Sequence, residues 1–382
     1  MRPSPFPPVK LVPTEPGEVR RNHFNAIRLA MAMAVIWSHC FALYWGTEEN
    51  EPVSLLLGGL YNAGSVGVRV FFIISGFLIA QSWIASRSRT DYFAKRVKRI
   101  YPGFVVATAV CTFIVVPAYA SAGWSLVTPG AVVQWAWHAL TLHGEVPGAD
   151  AFAGNPGQAV NGALWSIRYE AWCYVGVAVL GMAGMIRRPW TMLAVLLGVI
   201  AGKALLDIAG KQPGGGIIEA VFGWPYAWFS LAPCFLVGML AQVYGKAIPR
   251  SPLLLAGLLA ALIAAAQAGA GAGPQARVAF DILFPFAAAY AVFYLAYSRA
   301  VNLPDAARFG DFSYGAYLYG FPIQQMVKAS LELPFAVYVV TCLALSLMAG
   351  VASWNLVEQW FVRPRTRRPR STVAAVGGME PA

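Results

Sequence analysis

Charged residues are scarce in this chain of 382 residues, because only 12% are Asp, Glu, Lys or Arg whereas 58% are hydrophobic. Soluble globular domains carry about a quarter charged residues, so most of this chain is unsuited to water. Long apolar runs recur from about residue 27 to residue 357, and each approaches the ~20 residues that a bilayer-spanning helix requires. The sequence therefore predicts an all-α integral membrane protein embedded in a lipid bilayer.

Cysteine and histidine are few, with five and four copies in the whole chain. The cysteines fall in five different apolar runs, at Cys40, Cys111, Cys173, Cys234 and Cys342. That spread argues against a disulfide framework or a clustered metal site, so we expect small packing residues and no bound metal. Of the histidines, only His39 falls within an apolar run.

The apolar runs divide into about ten predicted transmembrane helices. Their positions are 27–45, 65–83, 103–120, 164–182, 191–209, 223–244, 252–268, 279–297, 311–330 and 335–357. Short cytoplasmic loops are enriched in Lys and Arg, and six basic residues fall in segment 84–102 and five in 363–370. This bias predicts that both termini are cytoplasmic. The net charge of +11 is then mainly a topology signal, and no nucleic-acid partner is expected.

The chain divides into a polar tail at 1–25, a single transmembrane domain at 26–360 and a basic tail at 361–382. The first tail is rich in proline and lacks the apolar centre and cleavage site of a secretory signal peptide. We therefore expect the first transmembrane helix to serve as an uncleaved signal.

The segment 121–163 is long, nearly free of charge and predicted to be external. It carries Trp124, Trp135 and Trp137. Tryptophans at this position are typical of the aromatic belt at a membrane surface. Their faces would alternatively suit stacking on a sugar ring.

The first predicted span carries two ionisable residues, Arg28 and His39. They are eleven residues apart, about three helical turns, so both side chains share one face and His39 lies ~16 Å deeper. Ionisable groups inside a membrane usually mark function, and a neutral imidazole is a suitable general base for a hydroxyl group. The structural alternative is a histidine that forms hydrogen bonds between helices.

The fourth predicted span opens with Trp165 and Ser166, and Glu170 follows Ser166 by four residues on the same helix face. Counting ~1.5 Å per residue from the two membrane surfaces puts Glu170 at the depth of His39. A carboxylate beside His39 would fix its tautomer and stabilise the imidazolium. The alternative is an ion pair with Arg168 or with an arginine of another span, because buried charges need partners.

The basic segment 84–102 ends in KRVKRIYP, which places Arg96 and Arg99 on one side of a helical turn. Paired guanidinium groups suit phosphate oxygens, because each planar fork donates two hydrogen bonds at once. The alternative is a topology signal, or attraction to anionic lipid headgroups.

The second predicted span carries FFIISGFLIA, in which Ser75 and Gly76 interrupt bulky apolar residues. Small residues permit the close approach of a helix or of a ligand chain, and this feature alone favours tight helix packing. Arg69 in the same span has no evident partner. Lys203 and Asp207, four residues apart, predict a structural ion pair within the membrane.

Four elements resemble, in order and spacing, the acyltransferase-3 family of bacterial membrane proteins. They are Arg28 with His39, FFIISGFLIA, RVKRIYP and LWSIRYEAWCYV. The resemblance extends from about residue 20 to residue 363 and implies a ten-helix acyltransferase of the bacterial cytoplasmic (inner) membrane. It further implies that an acetyl or other short acyl group moves from cytosolic acyl-CoA, in particular acetyl-CoA, to a hydroxyl of an exported glycan or glycolipid. Glycan-assembly proteins are then candidate partners.

The resemblance also assigns roles to single residues. His39 matches the catalytic histidine, and Glu170 matches the acidic residue of a Trp-Ser-x-x-x-Glu-like element. That element begins with Trp165 and Ser166, which we assign to substrate binding. Five positions match family residues associated with the acyl-CoA donor or paired with the histidine: Arg28, Ser75, Gly76, Arg96 and Arg99.

Two departures from the family pattern are visible. Arg69 stands where many relatives have an acidic residue. The segment SYGAYLYGFPIQQ resembles a late Ser-Tyr element, yet Gly320 replaces the histidine that often follows it. Gln324 or Gln325 is the candidate substitute for that histidine.

The sequence thus predicts an acyl-CoA-dependent O-acyltransferase. Arg96 and Arg99 would bind the nucleotide phosphates, and the acyl-pantetheine arm would run between the first two spans to His39. His39 would deprotonate the acceptor hydroxyl or carry the acyl group transiently. One rival is a transporter or flippase for a lipid-linked glycan, in which His39 and Glu170 would relay protons. Another is an unrelated membrane-bound O-acyltransferase, which typically pairs its histidine with an asparagine late in the chain.

Overall fold

The computed structural model describes residues 10–13, 22–148, 150–270, 273–298 and 310–362. Thirteen α-helices make up most of this part of the chain. They are α1 (Phe24–Trp45), α2 (Pro52–Leu56), α3 (Ala63–Ala85), α4 (Arg89–Tyr119), α5 (Pro129–Thr141), α6 (Trp165–Met182), α7 (Pro189–Ile208), α8 (Gly216–Phe222), α9 (Pro225–Tyr244), α10 (Pro252–Gly269), α11 (Gly273–Ala296), α12 (Phe312–Ser330) and α13 (Phe335–Val362).

Eight of these helices are long and apolar enough to cross a bilayer. They are α1, α3, α4, α7, α9, α10, α11 and α13. The expected all-α integral membrane protein is therefore confirmed. Helices α6 and α12 coincide with the predicted fourth and ninth spans but fall outside this group of eight, so the total of ten crossings stays a prediction. The cytoplasmic placement of the termini also stays a prediction, and the basic tail at 363–370 lies outside the described residues.

Five helices surround the predicted site residues. Helix α1 packs between α3 on one side and α12 with α13 on the other, while α4 contacts both α6 and α12. Helix α12 buries an unusual number of polar side chains, among them Ser313, Gln324 and Gln325. Polar groups in a membrane protein belong in the bundle interior, away from lipid, which places α12 at its centre.

Glycine allows the closest helix crossing in the bundle, between α3 and α9. A Cβ atom added at Gly76 would lie 2.0 Å from the carbonyl oxygen of Phe235, and one at Gly238 would lie 2.0 Å from that of Ile73. Only glycine lets the two backbones approach this closely. The close helix packing that the sequence favoured for Gly76 is thus present, because Gly76 faces α9.

The segment 150–164, predicted as part of a long external loop, folds into the bundle. Asn155 donates a hydrogen bond to the side chain of Gln325 (2.8 Å), and Gln325 in turn donates to the carbonyl of Gly157 (2.6 Å). Asn161 donates to the carbonyl of Leu318 in α12 (2.9 Å). The hydrogen bonds of these side chains hold a stretch of irregular backbone inside the bundle. Membrane proteins tolerate irregular backbone only where protein or a cavity surrounds it.

A closed set of charges ties α7 to α11. The Lys203 Nζ atom lies 2.6 Å from an oxygen of Asp207 and 2.6 Å from an oxygen of Asp281. The predicted pair of Lys203 and Asp207 is therefore confirmed, and Asp281 adds a second carboxylate. We call these three residues the paired network. Nearby, the Arg69 guanidinium lies 3.8 Å from the centre of the Tyr61 ring, which supplies the partner that the sequence left open.

Candidate active site

Two arginines share one carboxylate where α1, α4 and α12 meet. The Arg28 and Arg99 guanidinium groups lie 2.7 Å and 2.5 Å from the same Oδ2 atom of Asp311, the residue that precedes α12. All three side chains are mostly buried, with 13–17% exposed. The Arg99 group also lies 5.4 Å from the Tyr314 ring centre. Asp311 thus pairs directly with both arginines, Glu358 and Glu170 add negative charge near Arg99, and unused N–H donors remain, because each guanidinium carries five.

Arg96 faces the same side of α4 as Arg99, as the spacing predicted. It donates a hydrogen bond to Ser82 (3.2 Å), and its guanidinium lies 5.6 Å from the Tyr174 ring centre. Within the described part of the chain its buried Nε atom has no hydrogen-bond partner. Lys95, by contrast, is exposed and pairs with Asp91. The two arginines therefore point inward while neighbouring lysines point outward. We call Arg28, Arg96, Arg99 and Asp311 the arginine cluster.

Glu170 lies against α3. Its Oε1 atom accepts hydrogen bonds from the hydroxyls of Ser75 (2.8 Å) and Tyr174 (2.7 Å). Neither partner expected from the sequence contacts it, because no hydrogen bond joins Glu170 to His39 or to Arg168 among the described residues. Equal depth in the membrane does not make two helices present these side chains to each other.

Arg168 has a different set of partners. It donates hydrogen bonds to the carbonyls of Glu219 (3.4 Å) and Ala220 (3.2 Å) and to a ring nitrogen of His143. Arg168 and Glu170 are two residues apart on α6, and residues at that spacing do not face each other on a helix. The carboxylate of Glu170 is therefore free of the ion pair that the sequence offered as its alternative.

His39 lies on the face of α1 that meets α12. Its partly buried ring packs edge-on against Phe321, with ring centres 5.3 Å apart. No described residue forms a hydrogen bond with the imidazole, so both ring nitrogens remain available. The structural alternative, a histidine that forms hydrogen bonds between helices, is not what the contacts show.

The position where the family histidine is missing, Gly320, and one of its candidate substitutes also lie at this contact between α1 and α12. A Cβ atom at Gly320 would meet the side chain of Ile36 at 2.6 Å, so α1 occupies the space that a histidine would need. Gln324 donates to the carbonyl of Ile36 (2.7 Å), while its buried Oε1 atom has no partner among the described residues. Gln325 instead supports the inward-folded segment 150–164. Of the two candidate substitutes, only Gln324 is on the His39 side.

Trp165 and Ser166 separate in the structure. The Ser166 hydroxyl is buried and lies 2.7 Å from that of Tyr317, which also donates to the carbonyl of Ala163 (2.5 Å). Trp165 is 46% exposed and packs beside Tyr169. Only Ser166 is therefore brought into the bundle interior.

An aromatic line on α12 connects the arginine cluster to His39. Tyr314, Tyr317 and Phe321 follow one another at spacings of three and four residues, which places them on one helix face. Tyr314 packs near Arg99, Tyr317 contacts Ser166, and Phe321 contacts His39. Sequence reasoning missed this line and missed Asp311. The available signals were the tyrosine spacing in SYGAYLYGF and the acidic residue immediately before it.

The site contains no evident place for a metal ion. Among the described residues no group of three or more His, Cys, Asp or Glu side chains is close enough together to bind one. The arrangement offers an anion-binding set of guanidinium groups and an imidazole without hydrogen bonds. These two features lie on the same face of α1, about three turns apart.

Comparison with known proteins identifies the family. The acyltransferase-3 profile, described as an acyltransferase domain, matches residues 21–354. The chain belongs to the acyltransferase-3 family. The match extends from just before α1 into α13 and so includes every site residue discussed above. Together with the apolar helices, membership makes this protein a multi-pass membrane acyltransferase.

Three relatives in the same comparisons carry related names. An O-acetyl transferase of Shigella phage Sf6 is 29% identical over 351 residues, which is 90% of this chain and 96% of the relative. Nodulation protein 10 of Rhizobium leguminosarum bv. viciae is 41% identical over 91 residues, 24% of each chain. Acyltransferase MdmB of Streptomyces mycarofaciens is 29% identical over 100 residues, covering 26% of this chain and 25% of its own. No solved structure matches the chain.

Proposed function

We propose that this acyltransferase moves an acetyl or other short acyl group from cytosolic acyl-CoA to a hydroxyl of an exported glycan or glycolipid, at the bacterial inner membrane. The observation that carries the proposal is the pairing, on one face of α1, of Arg28 in the arginine cluster with His39 in the bundle interior. An anionic donor needs the arginine cluster for its phosphates, and the transfer of its acyl group needs the imidazole. Both features therefore have to lie along the path of one bound donor. The near full-length similarity to an O-acetyl transferase supports an acetyl group and an oxygen acceptor.

The donor binds by its phosphates at the arginine cluster. Arg96 contributes an unpartnered Nε–H, and Arg99 keeps donors that Asp311 does not use. Arg28 and Arg99 share the carboxylate of Asp311. Arg28 thus fixes Asp311, and Asp311 holds the Arg99 guanidinium group in place. The charge bias of the sequence assigns this end of the bundle to the cytosol, where acyl-CoA is available.

His39 performs the transfer. In the direct route its neutral imidazole takes the proton of the acceptor hydroxyl while the oxygen attacks the thioester carbonyl, and the C–S bond breaks to release CoA as a thiolate that is then protonated. In the covalent route the imidazole attacks the thioester carbonyl first and the C–S bond breaks to release CoA as a thiolate; the acyl group then passes from the ring nitrogen to the acceptor oxygen, whose proton goes to the freed imidazole. Both routes need a ring nitrogen without a permanent hydrogen bond.

Glu170 supports the passage between the two ends. Through Ser75 and Tyr174 it joins α3 to α6 beside the arginine cluster. Its role is therefore to position the walls along which the acyl-pantetheine arm runs. Ser166, held by Tyr317, forms the next part of that wall toward His39.

The test uses purified protein in liposomes, radiolabelled acetyl-CoA and the glycolipid fraction from cells that lack the gene. We expect label to appear in the glycolipid with wild-type protein. The change His39→Ala should lower the rate by about 10²–10⁴-fold, the usual contribution of a general base. The exposed Lys98 provides the matched control, since Lys98→Gln should keep full activity. Retained transfer by His39→Ala would refute the assignment.

The same preparation separates the enzyme from a flippase. A flippase would move labelled glycolipid across the bilayer without acetyl-CoA and would leave the glycolipid unmodified. In cells, mass spectrometry of surface glycans with and without the gene should show the loss of one acyl group and thereby identify the acceptor.

A further inference from the structure

A cleft with polar side chains on partly apolar walls lies between α4 and α5, at the end of the bundle opposite the arginine cluster. Its volume is about 170 Å³. The side chains that matter here are those with polar or aromatic groups: Thr108, Thr112, Gln134, Trp135, His138 and Glu145. None of them has a place in the transfer described above.

Helix α5 has two different faces. Val133, Trp137 and Leu140 project outward, with 70%, 63% and 65% of their surface exposed. Trp135 and His138 on the other face line the cleft. An apolar stripe opposite a polar one is typical of a helix that lies along a membrane surface. The cleft therefore opens where the headgroup of a lipid-linked molecule would lie.

Trp124 and Trp137 are exposed, as expected of an aromatic belt, whereas Trp135 is partly buried. The Trp135 indole N–H donates a hydrogen bond to the Thr108 hydroxyl (3.2 Å), which fixes the ring against α4. Trp124 and Trp137 thus fit the aromatic belt, whereas Trp135 fits the alternative of stacking on a sugar ring. Only Trp135 presents a fixed aromatic surface to a cleft.

The wall formed by α4 is irregular at this point. Residues Cys111–Val115 form a π-helical turn, and Thr112 within it lines the cleft. Pro117 follows two residues later and lacks the N–H that a regular helix would use. Widened turns of this kind are frequent at functional sites.

We propose that this cleft binds a carbohydrate unit of the acceptor. A fixed indole offers a stacking surface, while the amide of Gln134, the hydroxyl of Thr112, an imidazole and a carboxylate offer hydrogen bonds to sugar hydroxyls. Among the described residues no lysine or arginine lines the cleft, and Glu145 would repel a phosphate. A neutral polyhydroxyl ligand therefore fits better than an anion. The inference rests on the proposed function.

The cleft is linked to His39 through the inward-folded segment. Asn161 lies 3.9 Å from the sulfur of Cys111, which precedes the cleft residue Thr112 in α4. A Cβ atom at Gly162 would touch the Phe321 ring at 2.8 Å, and that ring packs on His39. The inward-folded segment thus contacts both α4 next to the cleft and the ring beside the imidazole.

The experiment measures saturation separately for each substrate in the liposome assay, with the glycolipid fraction as the acceptor probe. The variants are Gln134→Ala and Trp135→Leu, and the matched control is Trp137→Leu on the outward face of α5. We expect the half-saturating acceptor amount to rise about tenfold for Trp135→Leu, equivalent to ~1.4 kcal/mol, and severalfold for Gln134→Ala. The KM for acetyl-CoA should not change.

The outcomes are distinct. If wild-type protein transfers no label, the proposed function fails. If wild-type protein is active and both cleft variants keep the wild-type acceptor saturation, the cleft proposal is wrong. An equal rise in the half-saturating acceptor amount for Trp137→Leu would also overturn the cleft proposal. The effect would then come from a weaker contact of α5 with the membrane. Should Trp135→Leu not insert, Gln134→Ala decides alone, because Gln134 is exposed.

Discussion

The paired network and the arginine cluster are two ways of placing charge inside one helix bundle. In the first, Lys203 lies 2.6 Å from each of two carboxylates and Arg277 lies 3.7 Å from one of them, so every charge has a partner of opposite sign. In the second, Arg28 and Arg99 share Asp311, and Arg96 adds a third guanidinium whose Nε has no partner in the described part of the chain. A matched set holds helices together, whereas an unmatched set has donors left for a ligand.

The difference shows how buried charges can be sorted. Buried ionisable groups in a membrane are expensive, so each needs either a permanent partner or a functional one. The paired network supplies permanent partners from α7 and α11. In the arginine cluster the direct ion pairs all go to Asp311, with Glu358 and Glu170 farther from Arg99, so guanidinium N–H donors are left for an anion such as a phosphate.

The largest expected effect comes from breaking the paired network. The change Lys203→Met leaves the buried Asp207 and Asp281 carboxylates without their shared cation, and removing one partner of a buried ion pair costs about 3–5 kcal/mol of unfolding free energy. Thermal unfolding in detergent should show this loss. The KM for acetyl-CoA of the protein that remains folded should match wild type. A raised KM with unchanged stability would mean that the paired network takes part in donor binding and does not serve only to hold the helices together.

A smaller effect, and one on function, is expected in the arginine cluster. The change Arg99→Gln removes a charged donor worth roughly 1.5–3 kcal/mol, so the KM for acetyl-CoA should rise between about tenfold and a hundredfold. Stability should fall less than in Lys203→Met, because Arg28 still neutralises Asp311. Steady-state kinetics in liposomes measures the change, with Lys98→Gln as control. An unchanged KM would remove Arg99 from donor binding.

A milder change tests geometry against charge. Arg96→Lys keeps the positive charge but loses the planar fork, so we expect the KM for acetyl-CoA to rise up to about tenfold. The matched change Lys95→Arg, on the exposed side of α4, should have no effect. If Arg96→Lys behaves as wild type, charge alone suffices and attraction to anionic lipid becomes the better explanation.

The smallest effect concerns pH at the His143 contact. Burial and then the nearby Arg168 guanidinium lower the pKa of His143. A guanidinium only donates hydrogen bonds, so the His143 nitrogen beside it must be unprotonated. As pH falls below about 6.5 the unfolded chain takes up this proton before the folded chain does, and stability decreases. Between pH 7 and 5.5 the melting temperature should drop by roughly 2 °C. The His143→Gln variant should lack that slope, and an equal slope would assign it to another group.

Helical periodicity predicted several features of the site. The inward placement of Arg96 with Arg99, the shared face of Arg28 and His39, and the pair of Lys203 and Asp207 all follow from spacings of three, four or eleven residues. Such spacings depend only on the geometry of one helix. They hold whichever neighbours the helix acquires.

The partners of these residues could not be predicted in the same way. Glu170 was expected beside His39 but contacts Ser75 and Tyr174, because depth along the membrane does not determine which way a helix is turned. Asp311 is separated by more than two hundred residues from both arginines that it neutralises. Contacts of this kind arise only when α1, α4 and α12 pack together.

The sequence by itself determined that this protein is an α-helical membrane protein, where most of its helices run and which residues share a helix face. It did so because the bilayer demands long apolar helices and the helix repeat is local. Only the tertiary structure decided that Asp311 joins Arg28 to Arg99, that Glu170 faces α3, and that Trp135 lines a cleft. Those contacts depend on how each helix is rotated against its neighbours, which is set by side-chain packing between segments far apart in the chain.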